Sequence, residues 1–133
     1  IVNPVVLEQI MARHNALGKW GEQLAVDKLA SEGWQIVERN WRVGHLEIDI
    51  IARRDGVMVF AEVKTRADGD TDPFEAVTKA KISHMMRAAE TYMRHTDARF
   101  QPQFDLFAIN GTPDGEYTLE HVPDAFYAPL KTY

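Results

Sequence analysis

The spacing of apolar residues predicts a helix and then a strand near the start of the chain. From about Asn15 to Ser31, leucines and a tryptophan recur at the period of a helix with one buried side. Gly33 follows the last of them and provides a natural stop. Residues 34–40 alternate between apolar and polar side chains, which predicts a strand.

The next segment, EIDIIARRDGVMVFAEVKTR at residues 47–66, has the pattern of a β-hairpin. Two runs rich in Ile, Val and Phe flank Asp55-Gly56, a dipeptide that favours a tight turn because both of its residues tolerate positive φ. A three-residue loop with a bulge would shift the register by one residue. With the tight turn, the predicted pairs are Arg54 with Val57, Ala52 with Val59, Ile50 with Ala61, Asp49 with Glu62, and Glu47 with Lys64.

Side chains alternate between the two faces of such a hairpin, so its charged residues are predicted to share a face. That face carries Glu47, Asp49, Glu62 and Lys64, and the other carries Ile48, Ile50, Ala61 and Val63. Opposed Cβ atoms lie about 4.5–5.5 Å apart, where like charges repel each other. The pairing of two carboxylates in the middle of an apolar hairpin therefore needs an explanation.

Two explanations fit the opposed carboxylates. A divalent cation such as Mg²⁺ or Mn²⁺ binds one or two carboxylates together with waters and substrate phosphate, and Asp49 and Glu62 have the spacing to hold one. Lys64 would then point toward the same place. Alternatively the residues form a solvated surface, on which Glu47 pairs with Lys64 and the other acids are hydrated.

The second half of the chain predicts another helix and two strands. The polar loop after the hairpin ends in a helix start at Asp72, where Pro73 suits the first helical position and Glu75 completes a capping box. An apolar stripe on this helix consists of Ile82, Met85, Met86, Ala89, Tyr92 and Met93. Strands follow at residues 104–109 and 116–122. The element order predicts an α/β sandwich around a mixed sheet.

Composition narrows the class of protein. We expect a single domain over residues 1–133, with its core at about 15–122. The absence of cysteine excludes disulfides, thiolate catalysis and cysteine zinc sites, and it fits a cytoplasmic location. No apolar run approaches the roughly 20 residues of a membrane span, and no signal-peptide pattern is present.

The charge distribution leaves the partner open. A net charge of −5 argues against a general nucleic-acid binder, which usually has a basic surface. Basic residues nevertheless crowd around the hairpin: Arg39, Arg42, Arg53, Arg54, Lys64 and Arg66. A basic rim around an acidic metal site and an ordinary solvated surface both fit this distribution.

Histidines and tryptophans are expected to have structural positions. The histidines, His14, His45, His84, His95 and His121, are scattered and lack the spacing of a zinc ligand set. Each is therefore expected at the surface or at a helix cap, and only His45, near the carboxylates, remains a candidate for the site. Trp34 and Trp41 are expected to pack in or beside the core.

A set of ordered motifs then points to a known group of proteins. It consists of Gly21-Glu22, Arg39-Asn40 with Arg42, Glu47-Ile48-Asp49, the run Glu62-Val63-Lys64-Thr65-Arg66, and Lys81. Over about residues 18–109 the chain resembles the PD-(D/E)xK nuclease superfamily, with its restriction-endonuclease-like three-layer α/β/α sandwich. Within it, the chain resembles the small bacterial YraN family, which is related to archaeal Holliday-junction resolvases. That family usually has Gly directly before Glu-Ile-Asp, where this chain has Leu46, and Gly44 stands two residues earlier.

The resemblance implies metal-assisted phosphodiester hydrolysis. Asp49 and Glu62 would hold Mg²⁺ or Mn²⁺, with a carbonyl of Ala61 or Val63 completing the shell. Lys64 would orient the attacking water, and Glu22 would approach from the first helix. Nucleic-acid contacts are implied for Arg39, Arg42, Arg66 and Lys81. Each of these residues also has an ordinary explanation: Glu22 as a helix acid favoured by the macrodipole, Lys81 as a solvated lysine, and the arginines as partners of nearby acids.

Three hypotheses about the function of the protein follow from these observations. The leading hypothesis is an Mg²⁺- or Mn²⁺-dependent endonuclease acting on branched or distorted DNA, as a homodimer that cuts two strands symmetrically. The second is a catalytically silent nuclease fold that binds nucleic acid or a protein partner, which the acidic balance and Leu46 favour. The third is a metal-free structural domain, which leaves the opposed carboxylates unexplained.

Overall fold

The computed structural model describes residues 2–68, 72–96 and 99–127. Two α-helices, α1 (Pro4–Ser31) and α2 (Lys79–Arg94), and a short 3-10 helix (Pro73–Ala76) accompany five strands. The strands are β1 (Gln35–Val43), β2 (Leu46–Arg54), β3 (Val57–Arg66), β4 (Gln101–Gly111) and β5 (Tyr117–Phe126). Of the predicted polar loop after the hairpin, residues 69–71 lie outside the described residues.

The strands form one mixed sheet in the order β1-β2-β3-β4-β5. β3 and β4 are parallel, and the other neighbouring pairs are antiparallel. A parallel pair needs a crossover connection, and α2 supplies it between β3 and β4. The predicted α/β sandwich around a mixed sheet is confirmed.

Two apolar clusters hold one helix on each face of the sheet, which gives three layers. On one face α1 packs against the sheet through Ala25, Val26 and Leu29, which meet Ile50, Ala52, Val59, Ala61, Phe107 and Trp34. On the other face α2 packs through Met85, Ala88, Ala89 and Tyr92, which meet Leu46, Ile48, Ile51, Met58, Phe60 and Phe104. The Trp41 ring lies edge-on to the Tyr92 ring, with 5.1 Å between the ring centroids. The predictions of packing roles for the two tryptophans and for the α2 stripe are confirmed.

The prediction that Ile48 and Ile50 share a face is wrong. Ile48 lies in the α2-side cluster and Ile50 in the α1-side cluster, although alternation would place them together. Between the pairs that these two residues form with β1, Asn40 has a φ of +51°. The backbone therefore departs from regular strand geometry at Asn40, and each isoleucine is buried under a different helix.

Helix α1 begins at Pro4, eleven residues before the predicted start near Asn15. The Asn3 side chain accepts a hydrogen bond from the Val5 N–H at 2.9 Å, and Pro4 occupies the first helical turn. This first part of the helix carries exposed apolar residues: Val5, Val6, Leu7, Ile10 and Met11. Within the described ranges no helix is both long and apolar enough to cross a membrane.

Helix α2 begins at Lys79, and the predicted start at Asp72 is wrong. Asp72 caps the 3-10 helix instead, because its side chain accepts from the Phe74 N–H at 2.9 Å. Val77 is extended and interrupts the helix, and Thr78 then caps α2 by accepting from the Lys81 N–H at 3.1 Å. This second cap places Lys81 in the first turn of α2.

His121 is buried, so the expectation of a surface or cap position is wrong for it. Its Nε2 lies 2.7 Å from Oδ2 of Asp105, a residue that is 1% exposed. Its Nδ1 lies 2.9 Å from the Lys28 ammonium, so the three side chains link α1 to β4 and β5. Because a buried carboxylate without partners is costly, this network stabilises the sheet edge. His95 caps the end of α2, as expected.

Candidate active site

The candidate site lies where β2 and β3 separate. Their paired residues run from Arg54–Val57 to Ile50–Ala61, where the pairing ends. Over this range the register is the one that the hairpin pattern predicts. Beyond this point an Asp49 carboxylate oxygen, Oδ2, accepts the Val63 N–H at 2.8 Å. A side chain thus replaces the backbone carbonyl as the acceptor, and the strands can diverge without leaving this N–H unpaired.

The carboxyl groups of Asp49 and Glu62 meet at this point and are hydrogen-bonded to each other. Burial, with the adjacent Asp49 charge, raises the pKa of Glu62 to about 7. Burial also raises the pKa of Asp49, and the Val63 N–H opposes that increase. A hydrogen bond between two carboxyl groups requires a proton on one of them, and burial of both makes that proton harder to release.

Glu22 approaches the same site from α1. Burial and the Asp49 charge raise its pKa, while Arg39 and the Asn40 side chain oppose the increase. Its Oε1 is buried and has no hydrogen-bond partner among the described residues. An unpaired buried carboxylate oxygen is rare in folded proteins, and it marks a place where a cation or a water fits.

The two lysines at the site have different surroundings. The Lys81 ammonium lies 3.0 Å from Oε1 of Glu62, in an ion pair. Lys64 is exposed and, within the described part of the chain, forms no ion pair. Only Lys64 is therefore free to meet an incoming anionic group without first breaking a contact.

A cleft of about 510 Å³ opens between α1 and the end of β3. Glu22, Asp49, Lys64 and Arg66 line it, so four of the predicted site residues share one solvent-accessible space. Glu62 does not line the cleft, and its side chain contacts Lys81 of α2 instead.

Three of the four predicted nucleic-acid contacts lie outside the lining of this cleft: Arg39, Arg42 and Lys81. Arg39 donates to Oε1 of Gln23 at 2.9 Å. Arg42 lies 3.6 Å from Glu47, and both side chains are exposed. Glu47 is therefore paired with Arg42 across β1 and β2, and the alternative pairing of Glu47 with Lys64 is not formed.

Sequence reasoning missed some residues of the cleft, including His14, Gly18 and Thr65. His14 and Gly18 precede Glu22 by eight and four residues, which is the spacing of one helix side. That signal was hidden because the predicted helix began after His14. Leu46 stands where the resembled family usually has Gly. In this chain Gly44 takes the positive φ of +58° in the β1–β2 turn instead, and Leu46 is buried under α2.

The chemistry of these donors fits a hard divalent cation. Mg²⁺ and Mn²⁺ favour carboxylate and carbonyl oxygens and retain several waters, so two converging carboxylates suffice. The described residues contain no cluster of three or more His, Cys, Asp and Glu side chains in metal-binding geometry.

In chelator, the free energy of unfolding is expected to fall as the pH rises from about 4.5 to about 7. The pKa of Glu62 is raised from 4.5 to about 7, so the folded chain retains a proton that the unfolded chain releases within this window. We expect Glu62 to contribute a loss of about 2 kcal/mol. Urea unfolding across this window measures the loss, and Glu62→Gln should reduce the slope. An unchanged slope in that variant would contradict the assignment.

Comparison with known proteins places these residues in a wider group. A model of the uncharacterised protein family UPF0102 matches residues 21–109. A UPF0102 protein of Bacteroides fragilis is 44% identical over 121 residues, which cover 90% of this chain and 99% of that protein. One from Flavobacterium psychrophilum is 41% identical over 118 residues, covering 88% and 98%. One from Oleidesulfovibrio alaskensis is 49% identical over 98 residues, covering 72% of this chain and 48% of that protein.

Proposed function

Since the chain belongs to the uncharacterised protein family UPF0102, whose name assigns no activity, we propose a function from its site. The protein is a nuclease of the PD-(D/E)xK superfamily that hydrolyses phosphodiester bonds with the help of Mg²⁺ or Mn²⁺. The observation that carries this proposal is the contact between the carboxyl groups of Asp49 and Glu62 at the edge of an open cleft.

A divalent cation would stabilise the Asp49 and Glu62 carboxylates more than their contact with each other does. Burial and the Asp49 charge disfavour ionisation of Glu62, and burial disfavours ionisation of Asp49, so a divalent cation would stabilise both ionised carboxylates. Asp49 and Glu62 would hold it, and the unpaired Glu22 oxygen would accept a water of its shell. The cation supplies stabilisation of the phosphoryl charge and makes hydroxide available near neutral pH.

The chain's own residues supply position and charge. The Val63 N–H holds the Asp49 carboxylate in place through a 2.8 Å hydrogen bond. Lys64, exposed in the cleft, orients the attacking water and stabilises negative charge that develops on the phosphate. Arg66 lines the same cleft and binds a neighbouring phosphate.

Branched or distorted DNA is the substrate class that fits best. Asp49 is half-buried and lines the cleft, so a phosphate has to enter the cleft to reach it. A strand that leaves its duplex at a branch or flap enters such a cleft more easily than a strand of a regular helix. The basic side chains that line the cleft, Lys64 and Arg66, suit phosphate contacts rather than base recognition. We extend the proposal to a homodimer, because symmetrical cutting of two strands needs two sites.

One observation favours the second function, a nuclease fold that binds without cutting. The Lys81 ammonium already lies 3.0 Å from Glu62, so the site has a resident positive charge. The net charge of −5 also favours a partner other than bare duplex DNA.

Calorimetric titration of Mn²⁺ tests the proposed site before any substrate is known. We expect saturable binding to the wild type and at least about tenfold weaker binding to Asp49→Ala, because a ligand is removed. Glu120→Ala is the matched control, since it removes one exposed acid from β5. Equal binding by the wild type and Asp49→Ala would place any metal elsewhere, and absence of binding to the wild type would favour the silent module.

A further inference from the structure

Lys81 lies on α2, outside the hairpin, and its ammonium forms an ion pair with Glu62. This contact suggests a role for Lys81 that the sequence motifs do not indicate. We propose that the Lys81 ammonium occupies the position of a cation at Glu62 and competes with the divalent metal for this carboxylate. The inference rests on the proposed metal site at Asp49 and Glu62. It adds to the nucleic-acid contact that the resemblance implies for Lys81.

The geometry of the ion pair supports competition. The Lys81 nitrogen lies 3.0 Å from Oε1 of Glu62, which is the distance of a charge-assisted hydrogen bond. The Glu62 side chain is 18% exposed and the Lys81 side chain 34% exposed, so water screens this pair less than a surface pair. An oxygen that accepts from an ammonium at this distance has to release it before it can bind a metal at full strength.

The local structure holds Lys81 in reach of the site. Its N–H is bonded to the Thr78 side chain at the start of α2, so its backbone is fixed. Its long side chain remains free to turn, and the open cleft borders the same carboxylate pair. When a metal takes Glu62, the released ammonium can therefore pair with a phosphate oxygen of the incoming strand.

Lys64 provides the contrast within the same site. It is exposed, it lines the cleft beside Asp49, and among the described residues it makes no ion pair with either carboxylate. A lysine in that position can assist the chemistry without opposing metal binding. The two lysines are thus predicted to differ in their effect on metal affinity: Lys81 lowers it, and Lys64 leaves it nearly unchanged.

The test is calorimetric titration of Mn²⁺, without DNA, into the wild type, Lys81→Met, Lys81→Arg and Lys64→Met. Competition predicts about tenfold tighter binding to Lys81→Met, because the competing charge is gone. Lys81→Arg, which keeps the charge, should bind Mn²⁺ like the wild type. Lys64→Met should stay within about twofold of the wild type, because Lys64 has no contact to lose.

The outcomes separate this inference from the proposed function. If the wild type and Lys81→Met bind Mn²⁺ equally, or if Lys81→Met binds more weakly, Lys81 is a structural partner of Glu62 and the competition is overturned, while the metal site stands. If neither protein binds Mn²⁺, the metal site itself falls and the inference falls with it. Circular dichroism of each variant in chelator confirms that the fold is intact.

Discussion

Replacing Lys64 with alanine is expected to lower cleavage of flapped or four-way DNA by at least about 1000-fold, with little change in Mn²⁺ affinity. The reason is that Lys64 lies exposed in the cleft beside Asp49 and does not contact the carboxylates that would hold the metal. Its charge acts on the water and on the phosphate. Single-turnover cleavage gives the rate and calorimetry the affinity, so the two effects are measured separately.

Two variants control this experiment. Asp49→Ala should lose both cleavage and metal binding, because Asp49 is assigned to the metal. Lys19→Ala removes an exposed lysine from α1, outside the cleft, and should cleave within about threefold of the wild type.

Two results would redirect the interpretation of cleavage. If cleavage persists in an Asp49→Ala, Glu62→Ala double variant, a contaminating nuclease produces it. If the wild type cuts none of single-stranded, flapped and four-way DNA, the protein is the binding module.

Gly21→Ala is expected to destabilise the protein by about 3 kcal/mol, although alanine is the better helix former. A Cβ at position 21 would overlap Oγ1 of Thr65 and lie 2.9 Å from its Cβ. Rotation of Thr65 moves Oγ1 but not Cβ, which is anchored in β3, so α1 would have to move away from the sheet. The clash outweighs the propensity gain of about 1 kcal/mol. Urea unfolding in chelator measures the difference.

The matched control for Gly21 lies one turn earlier in the same helix. A Cβ at Gly18 would meet nothing within 4 Å, so Gly18→Ala should stabilise the protein by about 0.5–1 kcal/mol. In a double-mutant cycle, Thr65→Gly should recover more than about 1 kcal/mol of the loss in Gly21→Ala. If Gly21→Ala is neutral, the contact between α1 and β3 is looser than the structure has it, and the position of Glu22 beside Asp49 is in doubt.

Features that depend on neighbours in sequence could be predicted from the chain alone. The Asp55-Gly56 turn sets the hairpin register, because turn and strands are contiguous, and the observed ladder follows that register to Ile50–Ala61. The same count brings Asp49 and Glu62 together, and they meet. The element order predicted the mixed sheet, because a parallel pair with a helix between its strands is the compact solution for such an order.

Features that depend on contacts between distant segments were decided only by the tertiary structure. Ile48 and Ile50 are buried on opposite faces beside the irregular backbone at Asn40 of the neighbouring strand, and alternation along β2 does not record this. His121 can be buried because Asp105 and Lys28, which are distant in sequence, provide hydrogen-bond partners for its two ring nitrogens. The Lys81–Glu62 ion pair needs both the second cap at Thr78 and the packing of α2 on the sheet. The local sequence pattern thus determined that Asp49 and Glu62 meet. Long-range packing decided which other charged groups lie beside them, because the burial and the electrostatics of a site depend on every segment that packs around it.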